Sequence, residues 1–161
     1  MRNVLIPVDG SHRSEIAVQA VIRQARLGQV GAIHLANVQP SLGGYIASFI
    51  SRPERDAFRR EQGQAALAGA RRLLDQAELP YTVHIRVGEA VEAIVGAAED
   101  LDVEEIVVGT DGSGLFGALE LHSFVNRLIR RSPVPVSVVK NPAADMAFNR
   151  TTGSWWLRPT S

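Results

Sequence analysis

Two short stretches of this chain are apolar on both faces of a pleat: Val-Leu-Ile-Pro-Val at 4–8 and Ile-Val-Val-Gly at 106–109. A strand with one face in water alternates apolar and polar side chains, so runs without alternation belong to strands covered on both sides. A sheet covered on both sides needs helices above and below it. The rest of the chain must supply them, and its periodicity does.

Ser11 is placed to cap a helix that runs to about residue 27, with Glu15, Gln19, Arg23 and Arg26 as one narrow polar stripe. Residues 32–38 read as a second strand. Residues 39–52 have no period, yet Leu42, Tyr45, Ile46, Phe49 and Ile50 make this connection apolar, which suits either a lid or partner surface or a packed connection. Pro53 suits the first position of a long helix that buries Leu67, Ala70, Leu74 and Ala77, and Pro80 closes it. In 81–87 strict alternation predicts a strand with Thr82, His84 and Arg86 on a wet face, hence an edge. An amphipathic helix over 91–101 leads to a fourth strand at 105–109. A last helix is predicted over 123–131, and a fifth strand over 134–140, where Pro135 can donate no ladder bond.

Strands alternating with helices imply an α/β fold: a single doubly wound parallel sheet of five strands with helices on both faces. Buried first and fourth strands, with edges at the third and fifth, give the order 3-2-1-4-5. In that order the winding reverses between the first and fourth strands, and ligands enter such sheets at the carboxyl ends beside the reversal. The segment 106–123 ends a buried strand in a glycine-rich loop before a helix, an arrangement suited to anions because helix-start N–H groups lack partners.

The 161 residues are expected to form one domain over 1–140 and a tail over 141–161, either disordered or a docking segment for a partner. Lys plus Arg and Asp plus Glu are balanced at 17 each, so total charge does not argue for nucleic acid or an anionic membrane. No apolar run is long enough for a signal peptide or a membrane span, and there is no cysteine, which suits a cytoplasmic protein.

The opening Val-Leu-Ile-Pro-Val-Asp-Gly-Ser at 4–11, the strand and glycine-rich loop from 106, and Ser-Pro-Val-Pro-Val-Ser-Val-Val at 132–139 resemble the universal stress protein family. The resemblance implies the same sheet, a homodimer and, in one branch, ATP or another adenine nucleotide as ligand. That branch carries Gly-x2-Gly-x9-Gly-(Ser/Thr). Gly109, Gly112 and Ser123 match it, and His122 stands at the third glycine. By this resemblance Asp9, with Pro7 and Val8 beside it, would bind the adenosine part, and Val38 would line the base pocket. Gly109, Gly112 and Ser123 would hold ribose and phosphates, while Phe124 and Val125 would offer amides at the start of the last helix.

The chain departs from this pattern in charge. Residues 110–121 hold Asp111 and Glu120 but no Lys or Arg. A carboxylate about 4 Å from a phosphate charge costs on the order of 4 kcal/mol at an effective dielectric near 20. Mg²⁺ between Asp111 and the phosphates would reverse that sign, and Thr-Asp-Gly also suits a plain turn. His122 either obstructs the phosphate path or, protonated, replaces a basic residue. A hydrolytic cluster of Asp9, His12, Asp111 and His122 lacks metal-ligand spacing. His34 and His84 lie in strands and read as packed or surface groups. The expectation is therefore an adenine-nucleotide-binding stress-response domain without efficient catalysis, dimerising through residues 134–139, with Val134 and Val139 at the ends of that edge. The alternative is a scaffold of the same fold acting through an unknown protein partner.

Overall fold

The computed structural model describes residues 1–110, 115–140, 146–149 and 154–157, and side chains within 1–110 and 123–140. The elements are β1 (Arg2–Pro7), α1 (His12–Arg26), β2 (Val30–Gln39), α2 (Gly44–Ala47), α3 (Arg52–Gln76), β3 (Thr82–Val87), α4 (Ala90–Asp100), β4 (Glu105–Thr110), α5 (Leu115–Arg131), β5 (Val136–Lys140), β6 (Met146–Asn149) and β7 (Ser154–Leu157). The first five strands form a parallel sheet in the order β3-β2-β1-β4-β5, as the burial pattern required.

Val4, Leu5 and Ile6 of β1 are fully buried, and their alternation divides the interior into two cores. Val4 and Ile6 pack with Val18 and Val21 of α1 and Leu67 and Leu74 of α3. Leu5 packs on the other face with Ile94 and Ala97 of α4 and Leu128 of α5. Full burial of such a side chain contributes about 1.5–3 kcal/mol, so the central strands carry much of the fold's apolar gain.

Local differences from the sequence reading have identifiable causes. Helix α3 starts in a capping box: the Ser51 hydroxyl accepts from the Glu54 amide, and the Glu54 carboxylate accepts from the Ser51 amide. It stops before Pro80, where Glu78 turns left-handed at φ 56° and the Leu79 amide donates back to Leu74. The connection after β2 contains the short helix α2. On β3, His84 and Arg86 are half-buried rather than wet, since each finds a polar partner.

The largest correction concerns α5, which begins at Leu115 instead of Ser123. Leu121, Val125 and Leu128 share a helical stripe that extends the pattern upstream into the glycine-rich stretch. Phe124 and Val125 consequently lie inside the helix, so their amides face its own carbonyls rather than an anion at a helix start. In the tail, β6 and β7 pair antiparallel with Phe148 opposite Trp155 and Ala147 opposite Trp156.

Candidate functional site

The carboxyl ends of β1 and β4 part where the winding reverses, opening a cleft of about 290 Å³. Pro7, Val8 and Asp9 form one side, and Val108 and Gly109 another. Ala36, Asn37 and Val38 come from β2. Ala90 and Ile94 of α4 and Phe124 of α5 make the helical wall. Most of this surface is apolar, with the polar groups concentrated around Asp9.

Asp9 follows β1 and is built into the first turn of α1. Its Oδ1 accepts from the Ser11 amide at 2.9 Å and the Ser14 hydroxyl at 2.9 Å, while its own amide donates to Ser14 Oγ at 3.1 Å. Ser11 thus occupies the N-cap position without capping through its side chain. Burial opposes ionisation of Asp9, but bonding from Ser11 and Ser14 and the Arg13 charge outweigh it and hold the carboxyl below its ordinary 3.8. A carboxylate fixed this way can accept hydrogen bonds from a ligand hydroxyl or amine.

Asn37 is buried beside it. Its Nδ2 donates to the Val8 carbonyl at 2.8 Å and its Oδ1 accepts from Gln39 Nε2 at 2.7 Å, so it ties the end of β1 to β2. Gly10 has φ +85°, and an added Cβ would meet the Ala66 Cα at 3.2 Å, so α3 passes close to this turn. Gly109 is needed for packing. A Cβ there would fall 2.0 Å from the Arg13 carbonyl oxygen and 3.0 Å from the Ala17 amide nitrogen. The missing side chain lets α1 lie directly on β4.

That contact carries Arg13 onto the cleft wall. Together with Ser14 and Asn37 it was not apparent from the sequence, although a cation in the first turn of a helix, against the macrodipole, is a legible oddity. Of the expected residues, Pro7, Val8, Asp9, Val38, Gly109 and Phe124 line the cleft. The Val125 side chain is buried in the core between α4 and α5, and Ser123 is exposed. Gly112, Asp111 and the side chains of Glu120 and His122 lie outside the described residues.

Among the described residues there is no group of three or more His, Asp or Glu that could hold a metal. His12 is paired with Glu15 on the surface at 3.5 Å. His34 and His84 form a pair, Nδ1 to Nε2 at 3.1 Å, across β2 and β3. No helix among the described residues is long and apolar enough to cross a membrane.

The universal stress protein family profile matches residues 1–140. Universal stress protein MJ0531 of Methanocaldococcus jannaschii is 31% identical over 145 residues, covering 88% of this chain and 83% of that protein. The solved structure of hypothetical protein MJ0577 has a TM-score of 0.66 at 26% identity, covering 87% of this chain and 96% of its own. A universal stress protein solved in complex with cAMP gives 0.65 at 25% identity, covering 86% and 96%. With the profile spanning the whole five-stranded sheet, and with relatives that share both sequence and topology, the chain belongs to the universal stress protein family.

Proposed function

We propose that this universal stress protein binds an adenine nucleotide, ATP included, in the cleft between β1 and β4, and acts in a stress response as a nucleotide-responsive regulator without efficient turnover. The observation that carries this reading is the ionised Asp9 held at the edge of an apolar wall made by Val38, Ile94 and Phe124. An apolar slot beside a fixed acceptor suits a purine and ribose. The cleft's ≈ 290 Å³ is at the small end for ligand sites, so the nucleoside part fills it and the phosphates extend past Gly109. The relative in complex with cAMP supports the ligand class. A cytoplasmic homodimer joined through 134–139 completes the proposal: β5 is a sheet edge, and its Val138 is 44% exposed.

A second reading has one specific observation in its favour. Tyr45, Ile46 and Phe49 around α2 are exposed at 80%, 52% and 72%, an apolar surface suited to protein contact by a scaffold. Thermal shift and calorimetry with AMP, ATP and Mg-ATP separate the two. A nucleotide at a hundredfold excess over its Kd stabilises by about 2.7 kcal/mol. Asp9→Ala should remove the shift. No shift at millimolar nucleotide refutes the binding reading in favour of the scaffold.

A further inference from the structure

We propose that Arg13 is the residue through which this chain recognises the phosphate group of its ligand, making the site selective for nucleotides over nucleosides. The inference rests on the nucleotide reading above and adds the residue that reads the charge. A phosphate in this cleft needs positive charge nearby, and residues 110–121 contain Asp111 and Glu120 but no Lys or Arg. Among the described residues that line the cleft, Arg13 is the cation.

Three further observations point the same way. Arg13 is half-buried and, among the described residues, is in no ion pair. It lies close enough to Asp9 to favour that carboxylate, whose Oδ1 is already taken up by Ser11 and Ser14. Finally, it stands in the first turn of α1, where the helix dipole disfavours a cation. A half-buried cation on the cleft wall, at a helix start and beside a carboxylate whose Oδ1 is already engaged, is explained by an anion that arrives from outside. The backbone contact between Arg13 and Gly109 sets this residue beside the carboxyl end of β4. A guanidinium there can make two parallel hydrogen bonds to phosphate oxygens.

The test compares adenosine, AMP and ATP by calorimetry on the full chain and on Arg13→Gln and Arg13→Lys. The variant R13Q should lose about tenfold to hundredfold in affinity for AMP and ATP and keep its affinity for adenosine. R13K, a point charge without the fork, should recover part of the loss. The nucleotide Kd of the wild type should rise with salt more steeply than that of R13Q. The ligand-free melting temperature of R13Q should stay close to that of the wild type, because relief of the helix-start charge is offset by loss of the attraction to Asp9. Equal losses for adenosine and AMP, or unchanged AMP affinity in R13Q, overturn the assignment of Arg13 and leave nucleotide binding standing. A wild type that binds none of the three overturns the nucleotide reading and this inference with it.

Discussion

The family resemblance assigns Gly109 to a bound nucleotide, yet the geometry makes it a packing residue first. The alanine Cβ would lie 2.0 Å from the Arg13 carbonyl oxygen, where ordinary contact is 3.4–4 Å, so α1 and β4 must separate by more than an ångström. The obstacle is backbone and cannot rotate away. Helix α1 also carries Ile16, Val18 and Val21, each at most 1% exposed, so moving it disturbs the interior. Overpacking a core costs typically 1–3 kcal/mol, and a rigid backbone obstacle puts Gly109→Ala at about 3 kcal/mol or above. For a chain of this size that is roughly 6–12 °C in Tm. Urea and thermal unfolding without ligand are the assay. A variant melting within about 2 °C of the wild type, while losing nucleotide affinity, would refute the packing argument and return Gly109 to the ligand.

Gly96→Ala is the counterpart: nothing lies within 4 Å of its added Cβ, and helix α4 should gain about 0.8–1 kcal/mol, read as a higher urea midpoint. Asn37→Ala leaves the Val8 carbonyl and the Gln39 amide without their present partner and should cost about 1–3 kcal/mol in the same assay. Burial holds His34 and His84 below their ordinary 6.5, aided at His84 by His34 and Arg86, so the unfolded chain takes up protons first as pH falls. The stability is complete well above 6.5 and lost as pH falls through the lowered folded values; urea midpoints should drop as pH falls below the ordinary 6.5, less so in His84→Thr. Asp9, depressed below 3.8, contributes stability above that value that is lost as pH falls through its folded pKa. Ser14→Ala should raise the Asp9 pKa, measurable by carboxyl NMR titration, and shrink this contribution.

How much of this was legible from sequence depends on whether the signal was local. The sheet order followed from side-chain alternation, because Val4 to Ile6 and Ile106 to Val108 could be buried on both faces only in central strands. Asp9, Val38 and Gly109 were legible because a parallel sheet delivers strand ends to one rim. Arg13 was not legible because its place on the cleft arises from a helix lying on a strand far away in sequence, which no local pattern around residue 13 specifies. The start of α5 was not legible because glycine is a signal for a loop, and here it competes with an apolar spacing that continues through it. His34 and His84 were read singly. Their pairing follows from the parallel register of Ala36 with His84, which alternation alone does not specify.

The Asn37 bridge divides the cleft mechanically. It fastens the tip of β1 sideways to its neighbour, while Gly10 lets the turn after β1 lie against α3 and Gly109 lets β4 lie against α1, so these strand ends are held on several sides. The opposite wall is α4 and α5, joined by a buried core of Ile94, Ala97, Val125 and Leu128 and, at the surface, by the exposed pairs Arg127–Glu89 and Arg131–Glu92. Such pairs are weak and yield to salt. Added salt therefore weakens the outer seam of the helical wall and leaves the hydrogen-bonded wall of the cleft in place.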